Sequence, residues 1–191
     1  MRITNIVHTM VREVIRPGDR VVDATCGNGH DSEFLAAKVG PEGHVWSLDV
    51  QDAAVQATRM RLSTAGLAVQ STVVQADHAS LATVVPAAWK GTVSAVLFNL
   101  GYLPGADRGI RTRPGSTIAA LGDALDLLRQ DGMVSVVVYP GHEGGADESH
   151  AVRGYVSALD PKQFGVWRYE SMNGPPTVPW LAIIRRSRHH P

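Results

Sequence analysis

Residues Val21 to Asp31, reading VVDATCGNGHD, most restrict how this chain can fold. A short apolar run ends in an acid and then breaks into two glycines, Gly27 and Gly29. Glycine carries no Cβ, so the backbone can turn sharply there and pass close to another group. That is how a buried parallel strand hands over to a helix. The helix starts near Asp31, and its unpaired N–H groups face the space beyond the strand end.

The rest of the chain repeats this alternation. Ile3, Ile6, Met10 and Val14 fall on one side of a predicted helix over 3–15, which Pro17-Gly18 ends. Strands are predicted over 20–24, 44–50, 71–76 and 93–100, separated by helices over 32–39, 52–65 and 79–85. Ile118, Leu121, Leu125 and Leu128 recur at helical steps and predict a helix over 115–129. Gly132 then releases the chain into Met133–Tyr139, whose β-branched run suits a strand buried on both faces. A helix over 146–159 follows, with Val152, Val156 and Leu159 facing inward. Strands over 164–170 and 180–186 are joined by a proline-rich loop too short for a helical crossover, so they pair antiparallel.

Strands alternating with helices imply an α/β fold, a mostly parallel sheet with helices on both faces. Five such units and a closing antiparallel hairpin make seven strands. The expected organisation is one domain over 1–191, an N-terminal helical segment 1–17 and a Rossmann-like core 18–191. No apolar run approaches the ~20 residues that span a bilayer, and the start lacks the compact apolar region of a secretory signal. Cys26 is the sole cysteine, which excludes an internal disulfide and fits a reducing, cytoplasmic setting. Eight histidines show no Cys/His ligand spacing, so no metal site is expected.

In open sheets of this kind ligands bind beyond the C-terminal strand ends. Polar residues collect at those positions. Asp23, Gly27, Asn28, Gly29, His30 and Asp31 follow the first strand, and Asp49 follows the second, 20 residues beyond Gly29. An acid at that distance is placed to accept hydrogen bonds from ribose hydroxyls. Asp77 and His78 follow the third strand, where a carboxylate could receive an adenine amino group. Asn99-Leu100-Gly101-Tyr102 follows the fourth, and Tyr139-Pro140-Gly141-His142 the fifth. Each signal alone is weak: a strand-end acid is often only a helix cap. Their joint occurrence at successive strand ends is what points to a nucleotide-type ligand.

A dinucleotide site wants a third glycine where this chain has Ser32, and Asp23 just before the glycines would repel a pyrophosphate. The same acid suits a cation. S-adenosylmethionine carries an ammonium, a carboxylate and a sulfonium, so an acidic strand end beside helix N–H groups matches its charges. An NAD-dependent oxidoreductase and a non-catalytic nucleotide-binding domain are the other classes considered.

DATCGNGHD (Asp23–Asp31), LDVQ (Leu48–Gln51), FNLGYLPG (Phe98–Gly105) and YPGHEGG (Tyr139–Gly145) together resemble a family of small bacterial methyltransferases labelled rRNA methylases. The resemblance covers residues 5 to 185. It implies the class I methyltransferase fold, S-adenosylmethionine as cofactor, and methylation of the 5-aminomethyl group of wobble uridine in tRNA. It further implies that Asp23, Thr25, Gly27, Asn28, Gly29, His30 and Asp31 form the methionine-side pocket. Asp49 and Gln51 would hold the ribose, and Asp77 and His78 the adenine end. Asn99, Gly101 and Tyr102 fall where amino-methylating relatives carry Asn-Pro-Pro-Tyr. Leu100 and Gly101 replace the two prolines, which weakens the analogy to adenine methylases.

Methyl transfer to nitrogen needs a neutral amine aimed at the methyl carbon. Asn99 Oδ1 and the Leu100 carbonyl are expected to accept the amine N–H groups, with Tyr102 against the uracil ring. His142, Tyr139 or Asp31 would take the proton. The chain has 18 basic and 18 acidic residues, unlike a general nucleic-acid binder. Arg108, Arg111 and Arg113 nevertheless crowd one glycine-containing loop and are the expected contacts to the anticodon-loop backbone of tRNA. Arg185, Arg186, Arg188, His189 and His190 form a second basic cluster, for which a solvated surface is the plainer account. The acceptor alternatives are rRNA, a protein side chain or a small amine. A homodimer through apolar faces on the last two strands or the first helix is the remaining partner expected.

Overall fold

The computed structural model describes residues 3–101 and 112–188. In chain order the elements are α1 (Ile3–Val14), β1 (Arg20–Asp23), α2 (His30–Val39), β2 (His44–Asp49), α3 (Asp52–Thr64) and β3 (Ser71–Gln75). The short α4 (Leu81–Val84) leads to β4 (Val93–Asn99), α5 (Pro114–Leu127), β5 (Leu128–Val138), α6 (Gly145–Ser157), β6 (Phe164–Tyr169) and β7 (Trp180–Arg186). The seven strands form one sheet in the order β3-β2-β1-β4-β5-β7-β6. β1 to β5 pair parallel, and β7 runs antiparallel between β5 and β6.

Period-two alternation sends successive strand side chains to opposite faces. Ala95 and Leu97 of β4 pack with Val7 and Val11 of α1 and Leu35 of α2. Val96 and Phe98 pack with Leu81, with Leu121 of α5 and with Val152 of α6. α1, α2 and α3 therefore cover one face, and α4, α5 and α6 the other. The chain steps outward from β1 to β3 and then returns to place β4 on the other side of β1. That reversal opens a crevice at the C-terminal ends of β1 and β4.

Three local expectations are corrected. The buried centre of α1 is Val7, Val11 and Val14, with Ile3, Ile6 and Met10 flanking it, so this face is covered by the sheet rather than free for a partner. Of the last two strands, only β6 exposes large apolar side chains (Val166, Trp167 and Tyr169), whereas β7 is mostly buried. β5 begins at Leu128, not 133. Leu128 pairs with Val93, the register then shifts, and Met133 pairs with Ala95. Asp131, with φ 60°, makes the intervening turn, since aspartate tolerates the left-handed region better than most residues.

The basic C-terminal segment is tied down where it is described. Arg186 donates to the Leu125 and Leu128 carbonyls at the end of α5, and Arg185 and Arg188 bond Asp131. A cation there complements the C-terminal end of the helix dipole. His189 and His190 lie outside the described residues. Among the described residues no helix is long and apolar enough to cross a membrane.

Candidate active site

The turn after β1 keeps sheet bonding before it departs: Ala24 N–H donates to Leu97 and Cys26 N–H to Leu48. Gly27 (φ 49°) and Gly29 (φ 78°) are both left-handed. A Cβ on Gly29 would sit 2.8 Å from Thr58 Cα, so this glycine serves the packing of α2 against α3. α3 also holds the outer side of the turn, Thr58 donating to the Gly27 carbonyl and Arg61 to that of Asn28. α2 begins at His30, and no side chain caps its first turn.

Asp23, expected to face a ligand ammonium, is instead fully buried and does not line the crevice. Its Oδ2 accepts the Ser32 hydroxyl at 2.6 Å, and Ser32 in turn meets Ser47 at 2.9 Å. Burial raises the Asp23 pKa to about 7, assisted by the negative charge of Asp31. Asp23 therefore acts through the turn that it supports.

Above it lies a cleft of about 1250 Å³. One half is walled by Thr25, Gly27, Asn28, Asp49, Gln51, Asp77 and His78. Asp49 is held from both sides, Oδ2 accepting from Gly27 N–H and Oδ1 from Gln51 N–H, each at 3.0 Å. Each oxygen keeps a second lone pair for a ligand hydroxyl. Asp77 Oδ1 accepts the Ala79 amide. His78 is buried edge-on to Phe98, and its Nε2 has no hydrogen-bond partner among the described residues. Burial lowers its pKa, so the ring is neutral at neutral pH.

The other half is walled by His8, His30, Asp31, Asn99, Gly101, Arg113, Tyr139 and His142. Asn99 N–H donates to Thr25 Oγ1, and its carboxamide donates to Asp31 Oδ2, both at 2.7 Å. His142 Nδ1 donates to the Glu143 carbonyl at 3.0 Å, so in the neutral ring Nε2 is the basic nitrogen. A Cβ on Gly101 would lie 3.4 Å from that Nε2. Burial, with Asp31 nearby, raises the Tyr139 pKa and keeps its phenol protonated. Cys26 also lines the cleft, and burial pushes its thiol pKa up. Tyr102, Arg108 and Arg111 lie outside the described residues.

Four residues of this region carried no sequence signal. His8 reaches Asp31 from α1. Glu148, buried on α6, accepts the hydroxyls of Thr112 and Thr117, both at 2.6 Å. Thr112 also pairs with Gly101 in both directions, its hydroxyl accepting the Gly101 amide and its own amide meeting the Gly101 carbonyl. Among the described residues no cluster of His, Cys, Asp or Glu could hold a metal ion.

A profile of the family described as "Putative rRNA methylase" matches residues 45–185. The chain belongs to this rRNA methylase family. The crystal structure of a "putative rRNA-methylase" from Clostridium thermocellum superposes with a TM-score of 0.92 at 36% identity, over 97% of this chain and 98% of that one. A "putative methyltransferase" from Streptococcus mutans, solved in complex with SAH, gives 0.86 at 29% identity, over 97% and 98%. A chloroplastic tRNA (mnm(5)s(2)U34)-methyltransferase of Arabidopsis thaliana is 34% identical over 180 residues, 90% of this chain and 65% of that protein. The chain thus spans just under two thirds of that curated relative. The fold is the class I S-adenosylmethionine-dependent methyltransferase fold.

Proposed function

We propose that this rRNA methylase family member is an S-adenosylmethionine-dependent N-methyltransferase whose acceptor is the 5-aminomethyl group of wobble (2-thio)uridine in tRNA. The observation that carries the reading is Asn99. It ends the strand at the chain reversal, fixed through Thr25 on one side and Asp31 on the other. The name of the Arabidopsis relative and the cofactor product in the Streptococcus structure support the reaction class.

The residues present fit the methyl donor. Both Asp49 oxygens have lone pairs to spare for the ribose, and Gln51 lies beside them. The unpartnered His78 Nε2, next to Asp77, meets the adenine end. The methionine end reaches Thr25, Gly27, Asn28, His30 and Asp31, with the uncapped first turn of α2 for its carboxylate. Bound there, the donor supplies an electrophilic methyl on a cationic sulfur.

The chain's own task is to present a neutral amine in line with that methyl. Asn99 Oδ1 and the Leu100 carbonyl accept the amine N–H groups and aim the lone pair. His142 Nε2 takes the proton that leaves the ammonium; Tyr139, held protonated, serves as an aromatic wall. Tyr102 stacks on the uracil. Arg108, Arg111 and Arg113 bind the anticodon-loop backbone, where single-stranded bases can be splayed out.

The test uses tRNA and rRNA from cells lacking this gene, labelled methyl donor and nucleoside mass spectrometry. Label on the wobble uridine amine is expected, and label only in rRNA overturns the reading. Asn99→Ala should slow transfer by about 100-fold or more while donor affinity by calorimetry stays close to the parent's. Turnover at the parent rate removes Asn99 from the mechanism.

A further inference from the structure

α1 precedes the nucleotide-binding turn, and by its pattern it only covers the sheet. Yet one of its side chains enters the cleft. His8 Nε2 lies 2.6 Å from Asp31 Oδ1. A carboxylate only accepts, so this nitrogen carries the hydrogen. The other oxygen of the same carboxylate accepts the Asn99 carboxamide N–H at 2.7 Å. One acid therefore joins an imidazole on α1 to the amide that ends β4. The chain of bonds is partly shielded: the His8 side chain is 24% exposed and that of Asp31 14%.

His8 is itself fixed. Its ring stacks on Phe34 of α2 with centroids 3.8 Å apart and planes 2° from parallel, and the Arg12 guanidinium lies over the Phe34 ring. A ring held on its face and at one nitrogen has little freedom left. Asp31 sits in the first turn of α2 and would otherwise be free to swing between rotamers. Its second contact, to His8, removes that freedom. With one Asn99 N–H committed to Asp31, the carboxamide plane is fixed and its carbonyl oxygen is held on the side away from that carboxylate, where it can accept from a ligand.

We infer that His8 is a positioning residue for the methyl acceptor: it holds Asp31 so that Asp31 orients the Asn99 carboxamide with its oxygen toward the incoming amine. This rests on the role proposed for Asn99. It makes α1 a working part of the site, since moving that helix would slacken the amide at the strand end. A preorganised acceptor adds to the rate rather than to affinity.

The test compares the parent with His8→Ala and His8→Gln, the latter keeping an N–H donor on α1. On tRNA bearing 5-aminomethyl-2-thiouridine, His8→Ala should lose about tenfold or more in kcat, with the KM values for donor and tRNA within about twofold. His8→Gln should recover most of that loss. In an Asn99→Ser background, which retains an acceptor but no amino group for Asp31, His8→Ala should add almost nothing, because the two act as one unit. A second readout does not depend on the acceptor. The Asn99 side-chain amide protons, assigned by their loss in Asn99→Ser, should exchange slowly with water in the parent and in His8→Gln, and fast in His8→Ala. Unchanged kcat and unchanged exchange in His8→Ala overturn the inference, as do effects that multiply in the double variant or a loss confined to the KM for tRNA. A glutamine variant as slow as the alanine one does the same. Should the parent transfer no methyl to this tRNA, the proposed acceptor falls, and the relay is judged on amide exchange alone.

Discussion

At the scale of single residues, Asp23 supports the turn beneath the cleft without lining it. Asp23 is wholly enclosed, with Ser32 and Ser47 as a buried hydroxyl chain beneath the turn. Its pKa rises from the usual 3.8 to about 7, so the folded state holds a proton that the unfolded chain gives up at lower pH. The stability it contributes is complete below about pH 4 and declines as pH rises toward 7, because the native state binds more protons across that window. Asp23→Asn, which keeps the acceptor oxygen without the charge, should flatten this decline. Thermal melts from pH 5 to pH 8.5 read it directly, and parallel pH profiles for parent and variant would show the acid to be irrelevant. Cys26 has no comparable role in view: its thiol is buried and forced toward the protonated form.

At the scale of elements, the close approach of α2 and α3 sets the shape of the turn. Gly29→Ala places a Cβ 2.8 Å from the Thr58 backbone in a left-handed conformation. Backbone strain and overpacking together should cost about 2–4 kcal/mol, measured as a lower denaturation midpoint. An unchanged midpoint would mean that α3 moves aside at no cost. Most elements are legible in the chain because periodicity and punctuation agree. Val93–Leu100 reads as a largely apolar strand, Met133–Tyr139 as one buried on both faces, and Pro17-Gly18 marks the end of α1. β5 starts earlier than its apolar run suggests, because the turn at Asp131 interrupts a strand with no apolar signal, only Arg129, Gln130 and Asp131. The buried face of α1 keeps Val14 but is centred on Val7 and Val11, with the expected Ile3, Ile6 and Met10 packed at its edge, since Ile6 and Val7, or Met10 and Val11, fit the helical step equally well. The strand-end residues lining the cleft are legible for the same topological reason that makes the cleft. His8 and Glu148 are not, because their partners lie 23 and 36 residues away on other elements, and no spacing rule links an N-terminal helix to a strand end.

For the whole molecule, zero net charge means that the proposed tRNA substrate would be held by local cations rather than a global field. Replacing Arg108, Arg111 and Arg113 with alanine should weaken tRNA binding and lower the slope of log affinity against log salt by about 0.7 for each phosphate left without its arginine. An identical slope in filter-binding titrations would rule these arginines out as phosphate contacts. Donor binding should stay near the parent's in the same variant, since the walls proposed for the ribose and adenine, Asp49, Gln51, Asp77 and His78, lie at the ends of β2 and β3. The doubled link between Gly101 and Thr112, anchored on Glu148, has a consequence of its own. Gly101 and Thr112, with ten residues between them in the sequence, meet at one bonded point of the scaffold. On the proposed reading, exchanging that span while keeping Gly101, Thr112 and Glu148 should change acceptor preference with the anchoring bonds at its two ends intact, so the span can be traded as a cassette.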